Sequence, residues 1–503
     1  MRDWRLWGIL VVALAARAAL LRSAFAVNNS YLARPHPEQP VAGSFTADSG
    51  AYWVLAWALR EGHFAYGVPE VFRTPGYSAF IAAIIVAMQR GLSDPSAAPV
   101  LTEAVISAQM LIDLHLVFLT YLLGRWVLSH RVGLMAAFFQ ATSPLAVAAP
   151  CRFLSDSLFA FLLTAAVLLF VRHAKTSGWW SLLASAAVLG IACYVRPIGL
   201  PMAGIFALAL LVERARLLRR AANAAAFAAI LAVLIAPWVA RNIAVADFYG
   251  FSSVQAEGMY FYDAAETLAV KEGRSVDEVR DELRQSASFF PKPSGLFRTQ
   301  GARVRLMQRR AWEIFRENPG TFLWVHLRGT VAFWLPGATE VLEIAGATSG
   351  QKGTLEVLHR QGLAAAARHY FGGEAGAMWA AVGMSGITLL RYAGLVLLGV
   401  SWLRGRWPRK PAADSQSPIH NPQSAMSLSL ASPASLLILF VGLIVVSWLL
   451  PGPAAHPRFR VPVEPLLSIA AAAGWLGSFG RKQIGCRVTG TVQTSVTFRP
   501  RGD

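Results

Sequence analysis

Charge is what this sequence has least of. Of its 503 residues only 15% are Asp, Glu, Lys or Arg, while 55% are apolar. A soluble domain carries about 25% charged residues, so this chain cannot cover a water-facing surface. Disorder is excluded for the same reason. Cysteine is also scarce: Cys151, Cys193 and Cys486 have neither CxxC nor zinc-type spacing, so no disulfide framework or structural metal is implied. Acidic residues number 28 against 46 Lys and Arg, a formal net charge of +18. Such an excess can mark a nucleic-acid binder. Here the basic residues cluster in short turns between apolar runs, at Arg125 to Arg131, Arg172 to Lys175, Arg214 to Arg220, Arg404 to Lys410 and Arg481 to Lys482. Short basic loops hold their side of a bilayer in the cytoplasm. The charge therefore reports topology, with some left for anionic lipid or substrate, and no nucleic-acid partner is expected.

What the sequence does have is apolar runs of about 18 residues or more, enough to cross about 30 Å of hydrocarbon. It reads as an all-α polytopic membrane protein. The first run, about 7–26, follows Arg2 and Arg5 and ends in Ala24-Phe25-Ala26, as a cleavable signal peptide does. Arg17 and Arg22 interrupt it and the rest of the chain spans repeatedly, so it is read as a retained first helix. Further spans are expected near 101–123, 132–149, 157–171, 179–195, 200–212, 222–239, 378–398, 436–450 and 461–476, about ten in all, with both ends inside and no internal repeat.

The basic turns dictate which apolar pieces do not cross. Counting 76–88 as a span would put Arg125 to Arg131 outside, and counting 321–335 would misplace Arg404 to Lys410, so both are read as interfacial or re-entrant. The divisions are then a transmembrane module over 1–245, whose first outer loop is 27–100, an extracytoplasmic segment 246–320, a C-terminal transmembrane region 321–480 and a cytoplasmic tail 481–503. The charged stretch Ser275 to Leu283 is expected to be a small surface helix, and Pro411 to Pro433 a cytoplasmic Pro/Ser linker.

Under this topology Asp48, Arg73, Arg152, Asp156, Arg196, Arg241, Arg458 and Arg460 all fall at outer helix ends or in outer loops. Isolated arginines there commonly snorkel. That does not explain why Arg196 and Arg241 lie opposite to the positive-inside bias with carboxylates near them, and charges close to hydrocarbon usually pair or serve function. Guanidinium pairs phosphate oxygens bidentately, a carboxylate can take a proton from an incoming hydroxyl or amine, and positive charge aimed at a departing phosphate lowers the barrier. Displacement of a lipid phosphate suits such a set. Asp48 and Asp156 could equally cap the helices that follow them. Asp113, four residues after Gln109 inside a span, is read as one member of an intrahelical or helix–helix pair.

Several motifs in order resemble the GT-C membrane glycosyltransferases, and most nearly the family 39-type branch of protein O-mannosyltransferases, lipid A aminoarabinose transferases and bacterial relatives. They are Ala47-Asp48-Ser49-Gly50-Ala51-Tyr52, Phe72-Arg73-Thr74-Pro75-Gly76-Tyr77, Phe153-Leu154-Ser155-Asp156-Ser157-Leu158, Arg196-Pro197, Pro237-Trp238-Val239-Ala240-Arg241-Asn242 and Pro457-Arg458-Phe459-Arg460-Val461-Pro462-Val463-Glu464-Pro465. The resemblance runs from the first helix to about Ala473. It implies a GT-C-like bundle with extracytoplasmic juxtamembrane helices and a sugar donor on polyprenyl phosphate. The acceptor would be a glycan, lipid or protein, reached at the outer face of the inner (plasma) membrane, and attack from the face opposite the phosphate would invert the anomeric centre.

The resemblance also assigns roles. Asp48 falls on the general base, and Asp156 on the acidic position of the second outer loop, where relatives often carry Glu. Arg73, Arg196 and Arg241 fall on phosphate and donor-sugar contacts. Arg458 and Arg460 match an Arg-Tyr-Arg-like motif in which Phe459 replaces the phenol. The second loop lacks a dense carboxylate cluster, so no obligatory metal or other cofactor is expected. The alternative class, a transporter or flippase of lipid-linked saccharides, predicts repeats and broken helices meeting at the midplane.

Overall fold

The computed structural model describes residues 3–32, 43–46, 48–66, 68–88, 97–287, 299–347, 354, 357, 361–371, 374–404 and 432–479. Ala47, most of the Pro/Ser linker and the tail 481–503 lie outside them. The described chain is helical apart from a hairpin of two two-residue strands, Ala65–Tyr66 and Val68–Pro69.

Among the described residues five helices are long and apolar enough to cross a membrane: Trp4–Asn29, Pro99–Val127, Asp156–Thr176, Leu217–Ala246 and Ala375–Leu403. The pair His130–Thr142 and Pro144–Cys151 would make a sixth span, bent by 62°. Trp179–Val195, Gly199–Leu211 and Pro433–Leu449 are shorter apolar helices at three more expected spans, and Glu464–Phe479 stands at the last. The 13 residues of Gly199–Leu211 rise about 20 Å, less than the hydrocarbon thickness, which is why that run is short in the sequence. Gly76–Ala87, read as non-spanning, has 12 residues. The expected surface helix is present at Val276–Ser286.

Helices His130–Thr142 and Asp156–Thr176 both pack on Ala97–Val127, Trp179–Val195 packs on Asp156–Thr176, and Leu217–Ala246 closes against Trp179–Val195 and Gly199–Leu211. Glu464–Phe479 sits between Ala375–Leu403 and His130–Thr142. One apolar core, including Tyr77, Phe153, Phe159, Phe170 and Phe206, runs through the set.

The bend in the third span has a local cause and a buried consequence. Ser143 is extended and Pro144, lacking an N–H, begins the next helical piece. The break frees carbonyls, and Arg17 answers them: its guanidinium donates to Ala141 O at 3.0 Å and Ala146 O at 3.4 Å while pairing with Asp113. Asp113 is thus paired across helices rather than with Gln109. Ser143 in turn accepts from Arg391 at 2.8 Å and donates to Glu464 at 3.2 Å. Arg17 and Arg391, the charges that interrupt two apolar runs, hold this break together.

Candidate functional site

The site is built from the ends of helices. Phe153 to Asp156 bridges the bent third span and helix Asp156–Thr176, and Gln109 fixes that bridge by donating to Pro150 O at 3.0 Å and Arg152 O at 2.8 Å. The first-loop motif then docks on it. Ser49 Oγ donates to Phe153 O at 3.0 Å, and the Phe153 N–H donates to Ser44 O at 2.8 Å. Two motifs separated by about a hundred residues of sequence become one wall.

Asp48 precedes helix Ser49–Arg60, yet its side chain makes no capping hydrogen bond. It faces two cations instead. Arg73 Nη2 donates to Oδ1 at 3.0 Å and Arg458 Nη2 to Oδ2 at 3.2 Å. Burial pushes the Asp48 carboxyl upward, but Arg458 and Arg73 outweigh it and hold the group below the ordinary carboxylate range. Arg73 owes its place to Glu70, whose Oε1 accepts the N–H groups of Phe72 and Arg73 at 2.7 and 3.0 Å, and to Tyr52, over whose ring its guanidinium lies at 5.6 Å.

Asp156 begins its helix and pairs with Arg196 at the end of Trp179–Val195. Phe459 joins the two carboxylate–arginine groups, with Arg196 over its ring at 5.5 Å and Arg458 at 5.3 Å. Burial pulls the Arg196 guanidinium down to about 10, still cationic at neutral pH; Tyr52 and Asp48 favour its charge and Arg458 opposes it. The result is a continuous line, Arg73–Asp48–Arg458–Phe459–Arg196–Asp156, at the mouth of a cavity of about 290 Å³ lined by Asp156, Arg458 and Phe459.

Two of the arginines expected to bind substrate, Arg241 and Arg460, make internal contacts instead of facing the cavity. Arg241 donates to Glu70 O at 2.6 Å and Phe64 O at 2.7 Å and stacks on Trp238 at 4.8 Å. Its donors are taken up by the two residues that flank the hairpin, just ahead of Arg73. Arg460 is fully buried and donates to Glu464, to Tyr392 Oη and to the carbonyls of Phe333 and Leu335. The short 3-10 segment explains this: at about three residues per turn, side chains two positions apart point about 120° away from each other, so Arg458 faces the pocket and Arg460 points inward.

On the far wall of the cavity the sequence singled out Arg152 but not its partners. There Arg152 is held by Glu340, through Nε at 3.1 Å and Nη2 at 2.8 Å, and by Glu343 at 2.6 Å, while His456 Nδ1 lies 3.3 Å from Glu340. The available signal was the three-residue spacing of Glu340 and Glu343, which puts both on one helix face, and the position of His456 just before Pro457-Arg458. Among the described residues no group of three or more His, Cys, Asp or Glu is arranged to hold a metal ion.

Residues 100–240 match the family model of the dolichyl-phosphate-mannose-protein mannosyltransferases. No curated protein matches the chain in sequence. Among solved structures it is similar to the oligosaccharyltransferase of Archaeoglobus fulgidus in its apo form, at 12% identity and TM-score 0.49 over 98% of this chain and 53% of that one. The AglB protein of the same organism, in complex with an inhibitory peptide and a dolichol-phosphate, gives 13% identity and TM-score 0.47 over 98% and 53%. ArnT from Cupriavidus metallidurans bound to undecaprenyl phosphate gives 12% and 0.36 over 95% and 79%. The chain spans about half the length of the archaeal structures.

Proposed function

We propose that this chain, whose residues 100–240 match the family model of the dolichyl-phosphate-mannose-protein mannosyltransferases, is a GT-C membrane glycosyltransferase that transfers a sugar from a polyprenyl-phosphate donor to an acceptor at the extracytoplasmic face of the inner (plasma) membrane. One observation carries the reading: a single carboxylate, Asp48, is held between Arg73 and Arg458, with Arg196 across the Phe459 ring.

The donor phosphate takes the guanidiniums of Arg196, Arg458 and Arg73, which cannot lose their charge under working conditions. Once Arg458 turns to phosphate, Asp48 loses a cation and its affinity for a proton rises. The acceptor hydroxyl or amine enters against Asp48 and gives up its proton as its oxygen or nitrogen bonds to the anomeric carbon. The bond from that carbon to the phosphate oxygen breaks, and its electron pair leaves with the polyprenyl phosphate, neutralised by the arginines. Attack opposite the departing phosphate inverts the anomeric centre. Asp156 orients Arg196, while Arg241 and Arg460 position the segments carrying Arg73 and Arg458. The positive charge at the phosphate comes from side chains, so EDTA is expected to leave the rate unchanged.

Asp48→Asn in the purified full chain, given a labelled polyprenyl-phosphate sugar and envelope acceptors, tests the proposal. Donor binding should survive while transfer falls by about 10²–10⁴, the usual contribution of a general base. Undiminished transfer would remove the base from the proposal.

A further inference from the structure

The cavity behind Phe459 has two unlike walls. One is acidic and rich in hydrogen-bond acceptors: Arg152 grips Glu340 and Glu343 together, and His456 lies against Glu340. The other is apolar, formed by Phe459, Leu145, Ala149 and Val461. A sugar ring has this same division, with hydroxyls around its rim and C–H groups on its faces. At about 30 Å³ for each water, a cavity of about 290 Å³ has room for about ten waters, close to the number of heavy atoms in one hexose and too few for a chain of them. Asp48 does not line the cavity, whereas Arg458 and Asp156 do, so a ring inside it would present its anomeric carbon at the mouth, next to the phosphate-binding arginines.

The wall also carries charge. Arg152 supplies one positive charge against two carboxylates, and burial pushes His456 toward its neutral form. A negative charge is left facing the cavity. Glu343 is the exposed member, 27% accessible and fixed by Arg152 and by the Tyr370 hydroxyl at 2.6 Å. Carboxylate oxygens accept more than one hydrogen bond each, so these contacts leave lone pairs for hydroxyl donors.

We infer that this cavity is the subsite for the donor's transferred sugar, that it takes a single uncharged, hydroxyl-rich ring, and that Glu343 makes it reject sugars bearing a carboxylate. The inference rests on the donor reading proposed above. It also gives sugar choice to residues 340–343 and 456, outside the segment 100–240 that matches the family model. Like charges brought together in a desolvated pocket discriminate strongly.

The test measures binding to the full chain in lipid nanodiscs, which needs no knowledge of the acceptor. The ligands are bare polyprenyl phosphate, the same carrier bearing glucose, and the carrier bearing glucuronic acid. Wild type should bind the glucose donor at least about tenfold more tightly than the glucuronic acid donor, a gap of about 1.4 kcal/mol. Glu343→Gln, which keeps shape and hydrogen bonding, should close most of that gap, and Glu343→Asp, which keeps the charge, should retain it. An unchanged ratio in Glu343→Gln, or equal binding of bare and glycosylated carriers, overturns the subsite while leaving the lipid-phosphate reading intact. Failure of all three ligands to bind overturns both.

Discussion

The guanidinium of Arg458 donates to the carboxylate of Asp48 at 3.2 Å across 410 residues of sequence. The contact joins the segment after the first helix to the one before the last, and it helps hold the carboxyl pKa down. In Arg458→Ala the burial of Asp48 is opposed by Arg73 alone, so the carboxyl pKa must rise. The acidic limb of kcat/KM reports protonation of the base in the free enzyme and should therefore move to higher pH, with kcat also reduced by about 10² through loss of a phosphate contact. A pH–rate profile with its acidic limb in the wild-type place would show that Asp48 is not the group that titrates.

Arg460 should behave in the opposite manner. Its partner Glu464 is fully buried and also paired with Arg391. Arg460→Ala leaves that carboxylate with one cation and empties the donors to Phe333, Leu335 and Tyr392. Breaking a buried pair in this way costs about 3–5 kcal/mol, while loss of the half-exposed Arg458 pair costs about 1 kcal/mol or less. Thermal unfolding in one detergent should show a large fall in Tm for Arg460→Ala and a small one for Arg458→Ala, although only Phe459 separates them.

These two arginines also show how far the sequence can be read. The spans were legible because hydrocarbon thickness forces long apolar runs, and Asp48, Arg73, Asp156, Arg196 and Arg458 because their motifs fall at the ends of helices that pack together. Residue type and membrane side cannot separate a guanidinium that faces a pocket from one used up on carbonyls, so Arg241 and Arg460 looked the same as Arg458. Glu340 and Glu343 went unnoticed because Ala338–Ile344 is a seven-residue helix, too short for its pattern to stand out. Arg17 and Arg391 looked like interruptions of apolar runs until the bend at Ser143 gave them partners.

A separate joint responds to pH. His326 Nδ1 lies 2.7 Å from Asp263 Oδ1 and Nε2 lies 3.0 Å from Leu449 O, so both ring nitrogens face acceptors. Only the imidazolium can donate to both. The hydrogen bond to Asp263 raises the His326 pKa above 6.5; Arg328 and Glu266 on the same elements are paired with each other. A raised native pKa means that the stabilisation is fully present below the unfolded value and is lost as pH rises through the native one. Unfolding scans from about pH 5.5 to pH 9 should lose about 1–2 kcal/mol in wild type relative to His326→Gln, whose curve lacks that component. Parallel curves would mean that the joint does not titrate.

Gly76 makes the most localised prediction about the site's assembly. A Cβ built there would lie 2.6 Å from the backbone carbon and oxygen of Tyr194, two residues before Arg196 and three after Arg73. No flexible side chain can yield, because the obstacle is main chain. The turn carrying Arg73 and the helix end carrying Arg196 must therefore separate before any side chain fits. Gly76→Ala should cost about 1–3 kcal/mol of stability, in the range for overpacking a dense interior, and Gly76→Val more. Activity should fall further than stability at temperatures where the protein stays folded, because the displaced backbone spreads two arginines that must hold one phosphate. Gly50→Ala is the control: its Cβ would meet nothing within 4 Å, although Gly50 lies in the same motif as Asp48. If the two alanine variants transferred sugar equally well, close contact between these segments would not be what sets the spacing of the arginines.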